Sequence, residues 1–237
     1  DPNAMTYVRA SVDFTLNGNL TDLTLIGSNA INATGNALNN VLRGNEAANV
    51  LSGLAGDDIY CVDSASDTVV EAADEGNDSV VTTVSYTLGA HVERLLAAST
   101  AGAVNLSGNA LDNGLFGNSA NNVLTGGAGK DFLRGGEGSD TYVFNRGDGQ
   151  DTIDNIDAQS TTSTDVLHFG ADVADTDVLA MRTGDDLFLL LKGDPAHPEQ
   201  VAVLGYFAPD VVNGNDTSSR KIDRVEFGNG VVWDQAR

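Results

Sequence analysis

Apolar side chains recur every nine residues along two stretches of the chain, each at the eighth position of a unit that begins with glycine. The apolar residues are Leu42, Leu51, Tyr60, Leu115, Leu124, Leu133 and Tyr142. A six-residue turn followed by a three-residue strand would place all of them on one side, and stacked turns would bury them as a continuous column. Because glycine at this spacing disfavours helices, the pattern predicts short parallel strands wound into a β-roll.

The two stretches are copies of each other. Gly35 and Gly108, and likewise Gly44 and Gly117, lie 73 positions apart. The same separation relates Asp67 to Asp140 and Asp78 to Asp151, where the repeat is degenerate. We therefore predict an internal duplication. Since the first copy begins within a unit, we also expect the chain to be a piece of a longer array.

The sixth position of each unit is Asn or Asp, which adds a second pattern to the apolar one. GGAGKDFLR at 126–134 and GGEGSDTYV at 135–143 both fit G-G-x-G-x-D-x-U-x, where U is apolar, and RGDGQDTID at 146–154 departs only at the first glycine. On these residues the chain resembles the haemolysin-type RTX (repeats-in-toxin) proteins over about residues 20–158. The resemblance implies an all-β fold, a right-handed parallel β-roll with a C-terminal antiparallel β domain.

The resemblance also implies that the turns hold several Ca²⁺ ions. Calcium takes six to eight oxygen ligands, and glycine-rich turns can supply carbonyl oxygens beside the carboxylate at position six. The expected site residues of the second copy are Gly126, Gly127, Gly129, Asp131, Gly135, Gly136, Gly138, Asp140, Gly147, Gly149 and Asp151. Those of the first copy are Gly53, Gly56, Asp58, Asp67 and Asp78.

Turns on the same side of a roll are two units apart, so position-six residues should face each other in pairs. The expected pairs are Asp131 with Asp151, Asn122 with Asp140, Asp58 with Asp78, and Asn49 with Asp67.

Other position-six residues admit two interpretations. Asn40, Asn49, Asn113 and Asn122 are neutral and lie in turns with fewer glycines, which favours a hydrogen-bonded asparagine ladder over metal binding. For Asp67 and Asp78, in glycine-poor turns, metal binding and a purely structural role stay equally open. Further acidic residues either supplement a site or are solvated surface charges: Asp63, Glu71, Asp148, Asp154 and Asp157.

The glycine period stops near Gln159, and short apolar runs separated by turn residues follow, which predicts antiparallel strands and hairpins. Their order resembles the domain that follows RTX repeats in haemolysin-type proteins. We therefore divide the chain into an expression remnant at 1–5, a β-roll at 6–158 and an antiparallel β domain at 159–237. The last of these is expected to cover the open edge of the roll.

The composition narrows the choice of partners. Twelve Lys and Arg against 34 Asp and Glu give a net charge of −22, which disfavours nucleic acid and anionic membrane surfaces and favours cations. No apolar run is long enough to span a bilayer, and the N-terminus has no conventional signal peptide. A single cysteine, Cys61, excludes an internal disulfide.

Two classes of function stay open. The first is a calcium-binding module of a secreted bacterial protein that folds outside the cell after type I secretion, as the resemblance implies. The alternative is a polysaccharide-binding or adhesive module, with a glycan or cell-surface partner, in which calcium is only structural. No nucleophile, zinc-ligand or other catalytic motif is present, so we expect no enzymatic activity.

Overall fold

The computed structural model describes residues 7–156, 163–193, 198–207 and 221–234. Within these ranges it contains β-strands and one 3₁₀ turn at Asp175–Asp177, and no helix long and apolar enough to cross a membrane. Residues 1–5 and Asp157 lie outside the described ranges. The prediction for the former stays untested.

The strands are short throughout the roll. They are β1 (Tyr7–Ala10), β2 (Phe14–Thr15), β3 (Asp22–Leu25), β4 (Ala33–Thr34), β5 (Val41–Arg43), β6 (Val50–Ser52), β7 (Ile59–Val62), β8 (Thr68–Val70), β9 (Ser79–Thr82), β10 (Tyr86–Thr87), β11 (Arg94–Ala97), β12 (Asn105–Ser107), β13 (Gly114–Phe116), β14 (Val123–Thr125), β15 (Phe132–Arg134), β16 (Thr141–Phe144) and β17 (Gln150–Ile153). They are followed by β18 (Val166–Phe169), β19 (Val178–Thr183), β20 (Asp186–Leu191), β21 (Glu199–Val203), β22 (Arg224–Glu226) and β23 (Val232–Asp234).

Odd- and even-numbered strands of the roll lie on opposite faces. The odd strands from β1 to β17 pair in parallel, in order, within one sheet. The even strands form two sheets, β2-β4-β6-β8 and β10-β12-β14-β16-β18-β22-β23, and β8 does not pair with β10. Each coil thus contributes one strand to each face. The prediction of an all-β fold built as a parallel β-roll is confirmed.

The core is the column of apolar side chains that the nine-residue period predicted. All seven position-eight residues are at most 2% exposed. In the odd-strand sheet Leu42 lies beside Tyr60, and Leu115 lies beside Leu133. In the opposite sheet Leu124 lies beside Tyr142. Each coil therefore buries its apolar side chain against the coils before and after it.

The duplication is visible in the strands themselves. β13 begins 73 residues after β5, β14 begins 73 residues after β6, and β15 begins 73 residues after β7. The two copies therefore wind in the same register, and equivalent turns can be compared directly.

The C-terminal part contains the expected antiparallel strands, in the pairs β19–β20, β20–β21 and β22–β23. It also continues the roll, because β21 pairs in parallel with β17 and β18 pairs in parallel with β16. An aromatic cluster carries the core onward through Phe144, Phe169, Phe227 and Trp233. The division at residue 158 falls outside the described ranges and stays a prediction.

Candidate metal centre

The position-six side chains form hydrogen-bonded ladders along the roll. In each step one side-chain oxygen accepts the backbone N–H of the position-six residue one coil earlier. The expected pairs are all brought together this way: Asn49 N donates to Asp67 Oδ1 at 2.9 Å, Asp58 N to Asp78 Oδ1 at 2.8 Å, Asn122 N to Asp140 Oδ1 at 2.8 Å and Asp131 N to Asp151 Oδ1 at 3.2 Å. The ladder fixes the orientation of each carboxylate.

Four of these carboxylates have a second oxygen that the protein does not satisfy. Oδ2 of Asp58, Asp78, Asp131 and Asp151 is buried and accepts no hydrogen bond within the described ranges. A buried carboxylate oxygen without a donor is costly in a water-excluded site. A hard divalent cation is the partner that these oxygens lack.

The first glycine of each unit makes room for the position-six side chain. A Cβ at Gly126 would lie 2.8 Å from Cγ of Asp131, and one at Gly135 would lie 2.5 Å from Cγ of Asp140. Both distances are well inside van der Waals contact, so any other residue would push the carboxylate out of place. Gly53 has the same relation to Asp58.

The glycine at position four of the unit has a backbone conformation that favours glycine over other residues. Gly129 has φ +135° and Gly138 has φ +107°, values that side-chain-bearing residues rarely adopt. In the first copy Gly56 repeats this with φ +126°. The glycines that the motif specified are therefore needed for two distinct reasons, space at the first position and conformation at the fourth.

A third carboxylate joins one pair. Oxygens of Asp58, Glu71 and Asp78 all lie within 4.8 Å of one another. Glu71 Oε2 is buried and accepts no hydrogen bond within the described ranges, while Glu71 Oε1 accepts the Tyr60 hydroxyl. Glu71, which the sequence suggested only as a possible supplement, is placed as a direct neighbour of the pair.

Comparison with known proteins identifies the repeats. A family profile described as the RTX calcium-binding nonapeptide repeat (4 copies) matches residues 34–69, 107–142 and 116–153. Over these residues the chain carries repeats of the RTX type. These segments contain the turns of Asp58, Asp131, Asp140 and Asp151, whereas Asp78 lies beyond the first segment.

A curated relative agrees with this assignment. The chain is 39% identical over 96 residues to the protein named iron-regulated protein FrpA from Neisseria meningitidis serogroup C. The aligned segment is 40% of this chain and 8% of the relative. The chain therefore spans only a small part of this relative's length. It contains a module of calcium-binding RTX repeats.

The residues present fit calcium in the RTX turns. The donors are oxygens, two or three carboxylates converge at each of the pairs Asp58–Asp78 and Asp131–Asp151, and the unpartnered atoms are the ones left over by the ladder. Without a bound metal, burial is the main reason that the pKa of each of these four paired carboxyls is raised. It brings the pKa to about 7 for Asp58 and Asp131, about 6 for Asp78, and about 8 for Asp151, where neighbouring Asp131 adds to the effect.

The asparagine turns of the RTX array are closed by their own side chains. Asn40 Oδ1 accepts the N–H of Asn36 at 2.7 Å, and Asn122 Oδ1 accepts the N–H of Asn118 at 2.9 Å. Asn49 and Asn113 make the equivalent bonds, at 2.7 Å each. The hydrogen-bonded asparagine ladder expected from the sequence is therefore present.

Asp67 and Asp78, which the sequence could not separate, differ in the structure. Asp67 accepts from Asn49 N through Oδ1 and from Ser64 N through Oδ2, at 3.2 Å. Both of its oxygens are satisfied, while Asp78 keeps one free for a cation. Metal binding is therefore the better interpretation for Asp78 than for Asp67.

The remaining acidic candidates have other partners. Asp148 Oδ2 accepts from the backbone N–H of Asn145 at 2.7 Å, which closes its own turn. Asp154 pairs with Arg134. Burial, followed by the charge of Asp67, raises the pKa of Asp63. Of the three, Asp148 lies close enough to the Asp131–Asp151 pair for its charge to raise the pKa of both carboxyls.

Sequence reasoning missed ladder residues beyond the glycine repeats. Asp140 N donates to Asp165 Oδ1 at 2.8 Å, and Asp165 N donates to Asp223 Oδ2 at 2.8 Å. Asp78 N likewise donates to Glu93 Oε2 at 2.8 Å. The signal was an aspartate two positions before a buried apolar residue, as in Asp165-Val166-Leu167, without any glycine to mark the turn.

Proposed function

We propose that this module is part of a secreted bacterial protein and that it folds when Ca²⁺ binds the position-six carboxylates outside the cell. The observation that supports this is the pairing of buried carboxylates whose second oxygens have no protein donor, as at Asp131 and Asp151. In the absence of metal, these charges repel one another, and the glycine-rich turns have much conformational entropy to lose.

Calcium links binding to folding because the facing carboxylates come together only when the coils stack. An ion that binds only the folded form adds RT ln(1 + [Ca²⁺]/Kd) per site, about 2.7 kcal/mol at a hundredfold excess over Kd. Extracellular sites of this chemistry are filled at roughly millimolar calcium. The chain would therefore stay unfolded inside the cell, which suits passage through a type I channel, and fold after release.

We assign the chain no catalytic role, since its carboxylates repeat at the period of the turns and serve there as metal ligands. The activity of a longer parent protein would belong to regions other than this one.

The test is a titration of Ca²⁺ into metal-free protein, followed by far-ultraviolet circular dichroism and size-exclusion elution, with Mg²⁺ as the control ion. We expect a cooperative gain of β-structure and a smaller hydrodynamic volume with calcium alone. A protein that stays folded and unchanged after removal of calcium would overturn the proposal, because the asparagine ladders and the C-terminal strands would then suffice to hold the roll.

A further inference from the structure

The last strand of the odd-strand sheet, β19, leaves one edge open. Among the residues that the structure describes, β19 pairs with β20 alone. Its six residues read VLAMRT, without an acidic side chain or a proline, in a chain of net charge −22. Proteins usually protect an edge strand with charges, prolines or a bulge, because its free backbone groups can pair with another strand. The edge of β19 therefore has the features of a pairing site.

The hydrogen bonds of the β19–β20 hairpin determine which backbone groups point to the open edge. Lys192 N donates to Asp177 O at 2.7 Å, in line with the register of the two strands. Antiparallel partners exchange hydrogen bonds at every second residue, so the N–H and C=O groups of Ala180 and Arg182 point away from β20. The carbonyl of Val178 points the same way. The open edge thus presents both donors and acceptors.

The exposed apolar side chains of β19 share one face of the hairpin. Leu179 is 51% exposed and Met181 is 45% exposed. On β20 they lie opposite Leu190 and Phe188, which are half-buried. A further strand along the edge would extend this apolar face and remove Leu179 and Met181 from water.

The open edge is complementary to a second copy of itself. A two-fold axis at Ala180 would place Ala180 opposite its equivalent and Val178 opposite Arg182, the residues whose backbone groups point outward. The Ala180 residues would bond each other in both directions, and Arg182 N–H of each copy would donate to the Val178 carbonyl of the other. Val178 N–H already donates to Asp175 O and takes no part.

The same axis sets Leu179 of each copy opposite Met181 of the other. These pairs fall at the non-hydrogen-bonded positions, where opposite side chains of antiparallel strands are closest. Arg182 does not obstruct the pairing, because its guanidinium lies over the ring of Phe207 at 4.4 Å. We propose that two copies of this chain pair through β19 as antiparallel strands, so that their sheets join into one continuous sheet.

The size of the contact determines its strength. Six residues of strand extend about 20 Å. One strand pair of this length covers much less than the roughly 800 Å² per partner of a stable interface. The dimer is therefore weak and dissociates on dilution. Because the net charge of −22 repels the two copies while β19 itself brings no acidic residues together, added salt should strengthen the dimer.

The experiment measures the mass of the calcium-loaded chain by sedimentation equilibrium, over a roughly hundredfold range of protein concentration and at low and high salt. We expect a reversible monomer–dimer equilibrium that salt shifts toward the dimer. A chain that stays monomeric throughout would overturn the proposal, and the edge would then be open to a strand of a different protein.

Met181→Lys places a charge in the apolar pair and should raise the dimer dissociation constant at least about tenfold. Val232→Lys is the matched control, because Val232 is 41% exposed and lies on β23, the edge strand of the other sheet. Circular dichroism in calcium checks that both variants fold. Equal weakening by the two substitutions would place the contact elsewhere and reject β19.

Cysteine cross-linking tests the register. In a chain carrying Cys61→Ser, Ala180→Cys brings two thiols to the axis with Cα atoms about 5.5 Å apart, a separation that a disulfide spans. Thr183→Cys is the control on the same strand, since in this register the two Thr183 residues are about 20 Å apart. After mild oxidation, non-reducing electrophoresis should show a covalent dimer for Ala180→Cys alone. Equal cross-linking of both variants would reject the two-fold pairing at Ala180.

Discussion

The backbone N–H of Asp58 donates to Oδ1 of Asp78 at 2.8 Å, and Oδ2 of both carboxylates is buried without a hydrogen-bond donor in the described part of the chain. The same bond that aligns the two coils therefore holds two like charges together. Burial raises the pKa of Asp58 to about 7 and that of Asp78 to about 6, from an ordinary value of 3.8. In the absence of metal, protons are the cations available to this site.

These raised pKa values predict how the stability of the metal-free roll depends on pH. A carboxyl whose pKa is higher in the folded than in the unfolded state binds more protons when folded, so its contribution to stability is full below about pH 4. This contribution is lost as the pH rises through about 6 to 8, which are the pKa values of Asp78, Asp131 and Asp151 in the folded protein. Far-ultraviolet circular dichroism of metal-free protein between pH 4.5 and 8.5 should show β-structure that decreases as the pH rises.

Calcium should reverse this dependence, because the ion competes with protons for the same oxygens and its affinity rises with pH. β-structure of the metal-free protein that increases with pH over this range would contradict the electrostatic account of the ladder.

Asp131→Asn is expected to have opposite effects with and without calcium. The amide oxygen can still accept the N–H of Asn113, which Asp131 Oδ1 accepts at 2.7 Å, but one buried charge facing Asp151 is removed. Metal-free protein should gain β-structure, and calcium affinity should fall about tenfold or more, that is by about 1.4 kcal/mol or more. Circular dichroism of the metal-free protein and calcium calorimetry measure the two effects.

Asp185→Asn is the control for this variant. Its side chain is 60% exposed and contacts Arg182, far from any ladder, so neither quantity should change. If Asp131→Asn left the calcium affinity unaltered, Asp131 could not be a ligand.

Gly126→Ala tests the space that the turn leaves for the carboxylate. The added methyl would lie 2.8 Å from both Cβ and Cγ of Asp131, so the turn must shift, at a cost of about 1–3 kcal/mol typical of overpacking. Gly102→Ala is the matched control, because no atom lies within 4 Å of a Cβ at that position. Thermal denaturation with calcium should separate the two variants, and equal melting temperatures would show that the space at Gly126 is not needed.

The column of buried side chains could be predicted because its period is local: Leu124 and Leu133 each occupy the eighth place of a nine-residue unit that the chain itself displays. The ladder could be predicted only as far as the nine-residue repeat and its 73-residue duplication extend. Glu71 reaches Asp58 from a turn without the motif, and Asp223 reaches Asp165 from 58 residues away. Such contacts depend on which coils stack, and spacing in the sequence does not reveal that.

The stack of Arg94, Phe116, Phe132 and Arg134 on neighbouring odd-numbered strands could not be predicted from the sequence either. Arg94 and Arg134 are 40 positions apart and look like isolated charges in an acidic chain. Only the strand register brings them to the two ends of one aromatic pair.

Ending the chain at residue 156 tests whether the C-terminal strands support the calcium-dependent roll. The truncation removes β21 from the edge of β17 and β18 from the edge of β16, and it deprives Asp140 N of its acceptor on Asp165. Two strand edges and part of the aromatic core around Phe144 would then be exposed to water. We expect the shortened chain to need a higher calcium concentration to fold, with a less cooperative transition in circular dichroism. The full chain carrying Asp165→Ala keeps both strand edges covered but loses the acceptor of Asp140 N and of Asn155 Nδ2, and it should fall between the two. A truncated chain that folds at the same calcium concentration as the full one would show that the repeats up to residue 156 are sufficient, and that the strands after them are attached to the roll without stabilising it.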